Sequence, residues 1–201
     1  MSITLTDEEK KLLLAEAREI IAARLEKREP VLGPLAGEGT LAEHLGAFVT
    51  LHLKPAPGGK PILRGCIGRI LAAGPLRECV REMAPEAAFG DPRFYPLTLS
   101  ELPQCRIEIS VLSKIEPCPD PETVRVGVHG LFLLSEEGIG VLLPQVPVEQ
   151  GWDRRQFLDH LCLKAGAPLG TFKKKNAELF TFTAEVFGEE EAGHVPVTGR
   201  G

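Results

Sequence analysis

Residues 47–54 read AFVTLHLK, and residues 62–70 read ILRGCIGRI. The first stretch alternates apolar and polar side chains, a pattern that is typical of a β-strand with one buried face. Between the two stretches, residues 55–59 read PAPGG, which is rich in turn-forming residues. We therefore predict a β-hairpin with a turn at 55–59 and with Cys66 on the returning strand.

Two glycines, Gly65 and Gly68, flank Cys66 in the returning stretch. Glycine weakens a strand and packs no side chain, so this pair predicts a bulge or a point where another group approaches the backbone closely. The neighbouring cation of Arg64 favours the thiolate form of a cysteine. Cys66 is thus either a reactive thiol or a small buried side chain in a kinked strand.

The rest of the chain shows both helical and strand-like patterns. Apolar residues at three- and four-residue spacing predict three helices. These are residues 7–29 after a capping box at Thr6, residues 75–89 with Pro85 as a break or kink, and a helix that is opened by Trp152-Asp153 and ends at Gly166. Further strands are predicted at residues 106–113, 138–143 and 180–187, and one or two short strands, interrupted at the glycines, within 124–134. We expect the segment 138–143 to pair with the preceding one as a hairpin. The expected class is α+β, in which a mainly antiparallel sheet built from hairpins carries about three helices.

The composition excludes several classes of protein. With 43% hydrophobic residues, 25% charged residues and a net charge of −5, the chain is expected to be globular and to bind no nucleic acid. No apolar run is long enough for a membrane span, and the first residues lack the pattern of a secretion signal, so we expect a cytoplasmic protein that binds no membrane. We interpret the basic run Lys173-Lys174-Lys175 as a solvated turn, with phosphate binding as the alternative.

The cysteine spacing argues against a disulfide framework and against a structural zinc site, because the number is odd and no CxxC pair occurs. The five cysteines are Cys66, Cys79, Cys105, Cys118 and Cys162. The chain also contains no His, Cys, Asp or Glu pair at metal-ligand spacing, no P-loop and no GxGxxG motif. We therefore predict neither a metal nor a cofactor.

Several motifs occur in the order seen in the AMMECR domain family, and together they extend over about residues 8–187. They are LRGCIG (63–68), DPRF (91–94), IEISVLS (107–113), GVHGL (127–131), LPQV (143–146) and EQGWD (149–153). The chain therefore resembles this family. The resemblance implies an α+β fold with a larger part and a smaller subdomain, so that residues 1–187 form a single AMMECR-type domain, followed by a flexible acidic tail at 188–201.

The resemblance also implies a biological setting. Prokaryotic members of the family are called AmmeMemoRadiSam system protein A, and their relatives are often encoded beside a Memo-type protein and a radical-SAM protein. These two proteins are the partners that the resemblance leads us to expect. No biochemical activity is established for the family, so the resemblance supplies neither a substrate nor a reaction.

Three residues offer the groups that nucleophilic cysteine catalysis requires. Cys66 would be the nucleophile, His129 the general base, and Glu149 the group that orients the imidazole. His129 lies between Val128 and Gly130, where the chain can turn and expose the ring. The alternatives are a structural role for His129 and a helix-end role for Glu149, ahead of the helix at Trp152.

Five further positions are candidates for binding a substrate. Arg64 would hold an anionic substrate, and the backbone amides near Gly65 and Gly68 would stabilise negative charge. The alternative for Arg64 is a salt bridge to Glu108 or Asp91. Asp91 and Arg93 would line a polar pocket, or Asp91 would serve as a turn residue before Pro92.

Two functions are therefore open at this point. The first is a thiol-dependent enzyme that acts on a small, anionic substrate through Cys66 and His129. The second is a non-catalytic module that binds an unidentified small ligand or a partner protein through the same motif, with Cys66 only packing.

Overall fold

The computed structural model of the chain describes residues 3–35, 39–54 and 61–189. These residues form four α-helices and eight β-strands, numbered here in chain order. The helices are α1 (Asp7–Glu26), α2 (Leu76–Phe89), α3 (Gln145–Gln150) and α4 (Arg154–Lys164). The strands are β1 (Ala47–Leu53), β2 (Ile62–Arg69), β3 (Cys105–Leu112), β4 (Glu116–Pro117), β5 (Gly130–Leu134), β6 (Ile139–Leu142), β7 (Glu178–Phe182) and β8 (Ala184–Gly188). The predicted α+β class is confirmed.

The strands form two antiparallel sheets of four strands each, in the orders β2-β1-β3-β8 and β4-β7-β5-β6. The predicted hairpin of β1 and β2 is confirmed, and Thr50 lies directly opposite Cys66. A register shift between Leu51 and His52 supplies the bulge that the glycines predicted. The turn predicted at 55–59 lies outside the described residues. The predicted hairpin of β5 and β6 is also confirmed.

The described residues group into two compact units. One comprises residues 5–110 and 186–189, and we call it the Cys66 unit. The other comprises residues 3–4 and 111–185, and we call it the His129 unit. The single domain over 1–187 stays a prediction. Of the predicted tail, Gly188 ends β8 and Glu189 forms an ion pair with Arg18, while residues 190–201 lie outside the described part.

The core of the Cys66 unit forms where α2 packs on β1 and β2. Apolar residues at helical spacing on α2, such as Val80, Met83 and Ala87, are buried, and so are Val49 and Leu51 of β1. The helix runs through Pro85 without ending, so the predicted break is wrong, while the alternative of a kink stays a prediction. Proline removes one backbone donor from a helix, and burial of this apolar face offsets that loss.

Helix α1 begins as predicted, with a capping box between Thr6 and Glu9. It ends at Glu26, three residues before the predicted end, because Lys27 adopts a left-handed conformation with φ of 56° and caps the last turn. A buried ion cluster links α1 to α2: Glu16 accepts hydrogen bonds from Arg77 and Arg81, each at 2.6 Å. The cluster satisfies a carboxylate that is only 5% exposed.

The core of the His129 unit forms between α4 and the strands β5 and β6. Its members include Leu131 and Leu133 of β5, Phe157 and Leu161 of α4, and Leu179 of β7. Asp153 caps α4 through a capping box with Gln156, so the predicted start of this helix is confirmed. No helix in the described part of the chain is long and apolar enough to cross a bilayer.

The structure corrects three local predictions in the His129 unit. Residues 124–128 form no strand, because a 3-10 helix at Pro121–Thr123 leads into a turn at 126–128 and the strand begins at Gly130. The predicted last strand, 180–187, is two strands, and β7 and β8 belong to different sheets. Helix α3 was missed, so the helices are four rather than three.

Candidate functional site

Cys66 lies on β2 with its sulfur half-buried. Across the hairpin, the Thr50 hydroxyl donates a hydrogen bond to Cys66 Sγ over 3.2 Å. The other four cysteines are buried, and all five belong to the described part of the chain. Cys66 is therefore the cysteine that a dissolved molecule reaches most readily.

The backbone of Cys66 is held by two side chains that follow α2. Its N–H donates to Asp91 Oδ2 over 2.9 Å, and its carbonyl oxygen accepts from Arg93 Nη2 over 3.3 Å. Asp91 and Arg93 also bind each other in a two-pronged ion pair, with distances of 3.0 and 2.7 Å. This arrangement fixes the position of Cys66 from one side, as a neighbouring strand would.

Asp91 and Arg93 differ sharply in exposure. The Asp91 side chain is 2% exposed, whereas that of Arg93 is 55% exposed. The hydrogen bond from Arg93 holds the pKa of the Asp91 carboxyl well below its usual range. Asp91 also accepts from the backbone N–H of Arg93 over 3.1 Å, so the turn interpretation of this motif is confirmed. Arg93 thus brings a partly exposed cation to Cys66.

Burial raises the pKa of the Cys66 thiol. The hydrogen bond from Thr50 and the charge of Arg93 favour the thiolate, but they do not outweigh burial. The carboxylates of Asp91 and Glu108 raise the pKa further. The free protein therefore holds Cys66 as a neutral thiol at pH 7.

Arg64 forms an ion pair with a residue that the sequence did not indicate. Its guanidinium donates to both oxygens of Glu101, over 2.8 and 3.1 Å, whereas the sequence suggested Glu108 or Asp91. This hydrogen bond from Arg64 lowers the pKa of Glu101 to about 2. Since the side chain of Arg64 is 11% exposed and already paired, it is less available to an anion than Arg93.

The two glycines, Gly65 and Gly68, leave room for neighbouring groups of the same protein. A Cβ at Gly65 would lie 2.0 Å from the carbonyl oxygen of Ala87 in α2. A Cβ at Gly68 would lie 2.3 Å from the ring of Phe48. The predicted close approach is therefore confirmed. Since the approaching groups belong to α2 and β1, these glycines set how tightly the hairpin packs.

His129 immediately precedes β5 in the other unit and is half-buried. Its Nδ1 accepts a hydrogen bond from the backbone N–H of Arg125 over 3.3 Å, which leaves the proton of the neutral ring on Nε2. Burial, with a smaller contribution from the charge of Arg125, lowers the pKa of His129. The ring is therefore neutral at pH 7 and presents Nε2–H as a donor.

Glu149 lies in the last turn of α3 and is exposed, whereas the sequence placed it in a segment ahead of a helix. Within the described residues no hydrogen bond joins it to His129. Its suggested helix-end role belongs to Asp153, which caps α4.

The structure thus brings Cys66, Asp91 and Arg93 together, and it joins Arg64 to Glu101. Sequence reasoning missed Thr50, although the register of the predicted hairpin places it opposite Cys66. It also missed Glu101, for which no local signal exists because 37 positions separate it from Arg64. No three His, Cys, Asp or Glu residues of the described ranges are grouped in a way that could hold a metal ion.

Two antiparallel sheets, with helices and a half-buried cysteine on an edge strand, define an α+β protein with a candidate thiol site. A family model described as AMMECR1 matches residues 14–187, and the chain therefore belongs to the AMMECR1 family.

Similar proteins carry no assigned activity in their names. Protein MK0488 of Methanopyrus kandleri is 42% identical over 198 residues, which cover 95% of this chain and 93% of that protein. Protein PH0010 of Pyrococcus horikoshii is 39% identical over 197 residues, or 94% of each chain. The crystal structure of PH0010, described as an uncharacterized protein, matches with a TM-score of 0.83 at 37% identity and covers 92% of this chain and 94% of that one.

Proposed function

We propose that Cys66 is the reactive group of a thiol-dependent enzyme that acts on a small anionic substrate. The observation that carries this proposal is a half-buried thiol whose own backbone is bound by a partly exposed guanidinium, that of Arg93. Within the described residues, Arg93 Nη1 makes no hydrogen bond, so it is free to bind a carboxylate or a similar anion. All five cysteines are free, which supports a reducing compartment such as the cytoplasm.

The proposed covalent step uses Cys66 as nucleophile and His129 as general base. The sulfur forms a bond to an electrophilic carbon of the substrate while the thiol gives up its proton to the general base. The leaving group then departs with the bonding electrons and takes that proton. His129 is neutral, as a base must be, and it accepts at Nδ1 once the hydrogen bond from Arg125 is released. Glu149 is the proposed orienting group.

Because Cys66 is a neutral thiol in the free protein, its activation has to accompany substrate binding. Asp91 and Gly65 position the thiol, since one binds its backbone and the other lets α2 pack against β2.

Alkylation with a matched pair of reagents tests this proposal. Iodoacetate and iodoacetamide deliver similar groups, but only the first is an anion. We expect Cys66 to react before Cys118 in the folded protein, because Cys118 is 7% exposed. Relative to a free cysteine peptide, the ratio of iodoacetate to iodoacetamide rates at Cys66 should be about threefold higher because of the charge of Arg93. Peptide mass spectrometry measures each rate.

Two variants complete this experiment. Arg93→Gln should remove the preference for iodoacetate, while Arg69→Gln, on the same strand but paired with Glu82, should retain it. Equal reactivity of Cys66 and Cys118, or the same reagent ratio with and without Arg93, would refute the proposal.

The raised pKa of Cys66 favours a second candidate, a non-catalytic module that binds a small anion or a partner protein. The partners would then be the Memo-type and radical-SAM proteins that the family resemblance implies. A Cys66→Ser variant that folds and keeps every cellular activity of the protein would decide for this candidate. Loss of activity with an intact fold would decide for the enzyme.

A further inference from the structure

The His129 unit contains a cavity that the proposed function does not use. It has a volume of about 750 Å³ and lies between a proline-rich wall, at Pro117, Pro119 and Pro121, and the segment from Phe172 to Phe180. A second cavity of about 720 Å³ shares Pro121, Glu122, Phe172 and Lys173 with it, so the two are adjacent. Sites for small molecules have volumes of roughly 300–1,000 Å³.

The basic run that the sequence singled out forms part of this cavity. Lys173, Lys174 and Lys175 are exposed in the turn before β7, as predicted, and all three line the first cavity. The run is therefore a turn that also borders an open cavity. The position of the three lysines at a cavity supports phosphate binding, which was the alternative interpretation of the sequence.

The charged side chains that line the first cavity leave an excess of positive charge. Its carboxylates are Glu122 and Glu178, and Glu122 is engaged by Arg154. Lys174 is engaged by Glu137 over 2.8 Å. Within the described ranges, Lys173 and Lys175 form no ion pair, so two lysines face the single carboxylate of Glu178. This excess of positive charge occurs in a protein whose net charge is −5.

The apolar side of the cavity lies next to these lysines. Phe172 packs on the core of the His129 unit, and Lys173 Nζ lies 5.5 Å from the centre of its ring. A ligand that rests against Phe172 therefore has an ammonium group beside it. Lysine binds phosphate as a compact point charge, and a phosphate monoester carries roughly −1.5 to −2 at pH 7, which two lysines balance.

We propose that this cavity binds a small phosphorylated molecule with an apolar or aromatic body. The phosphate lies between Lys173 and Lys175, and the body packs against Phe172 and the proline wall. No residue of the Cys66 unit lines either cavity. A test of this cavity is therefore independent of the proposal for the thiol site.

Phenyl phosphate is the minimal probe of this chemistry, and protein NMR is the measurement. We expect a Kd of about 1 mM for so small a ligand, with shifted amide signals at residues 117–122 and 171–180. Benzoate, with one charge, and inorganic phosphate, without the ring, should each bind at least about fivefold more weakly. Benzoate binding equal to that of phenyl phosphate would overturn the phosphate assignment. Shifts elsewhere, or none at about 10 mM, would overturn the site.

Charge variants make the test independent of any effect on folding. The double variant K173E/K175E should weaken phenyl phosphate binding by about tenfold or more, because attraction becomes repulsion. Glu178→Gln should strengthen binding by about twofold to threefold, a gain that damage to the fold would not produce. The matched control K11E/K164E changes two exposed lysines outside the cavity and should leave binding unchanged. Equal weakening in the control and in K173E/K175E, or no gain in Glu178→Gln, would refute the proposal. Cys66→Ser should bind normally.

Discussion

Replacing Gly65 with alanine is expected to lower the free energy of unfolding by about 3 kcal/mol. The added Cβ would lie 2.0 Å from the carbonyl oxygen of Ala87, and no contact of that kind is tolerated. Because both atoms belong to backbone that is fixed by packing, α2 and β2 have to separate. Urea denaturation followed by circular dichroism measures the loss.

Gly74→Ala is the matched control for this substitution. The nearest atom to its added Cβ is Glu78 Oε2 at 2.7 Å, the end of a flexible side chain that can move away. We expect its effect to stay below about 1 kcal/mol. If Gly65→Ala were as stable as Gly74→Ala, the close packing of α2 against β2 would be wrong. In Gly65→Ala the thiol of Cys66 should also react faster with iodoacetamide, since a separated helix buries it less.

Replacing Asp91 with asparagine is expected to destabilise the protein by about 2–3 kcal/mol at pH 7. The substitution removes the charge that pairs with Arg93 and places an amide donor where two donors now point. The exposed pair of Glu122 and Arg154 provides the control, since its side chains are 72% and 42% exposed. Glu122→Gln should therefore change stability by less than about 1 kcal/mol. Thermal and urea unfolding give both values.

The pH dependence of this effect has a definite sign. Arg93 holds the pKa of folded Asp91 well below that of an unfolded aspartate, which is about 3.9. The resulting stability is fully present above that unfolded value and is lost as the pH falls towards the folded one. The difference between the wild-type protein and Asp91→Asn should therefore shrink between pH 5 and pH 2. A difference that stays constant over this range would show that Asp91 is not ionised in a pair with Arg93.

Local sequence patterns predicted the elements that depend mainly on their own residues. The hairpin of β1 and β2 followed from an alternating stretch, a turn-forming segment and a returning strand-like run, and α4 followed from its cap and apolar stripe. Helix α3 was missed because it has only six residues and contains Pro147. That proline occupies the first turn, where a helix does not require its N–H. The split between β7 and β8 was missed because alternation along a strand does not tell which sheet it joins.

The surroundings of Cys66 were predictable only in part. Asp91 and Arg93 were identified by type and spacing, and they lie at Cys66. The hydrogen bonds of Asp91 and Arg93 to the Cys66 backbone depend on where the end of α2 lies relative to β2. The sequence pattern of a single segment does not give this position. The expected activation of the thiol by Arg64 was wrong for a related reason. Glu101 engages that guanidinium, and burial of Cys66 follows from the tertiary packing.

The bonds that Asp91 and Arg93 make to Cys66 have a consequence for the behaviour of the protein in concentrated solution. β2 is the outermost strand of its sheet, and such strands can recruit a strand from another molecule through their open N–H and C=O groups. At Cys66 both groups are already occupied. A strand from another molecule therefore finds no open backbone group at Cys66, because the side chains of Asp91 and Arg93 occupy both.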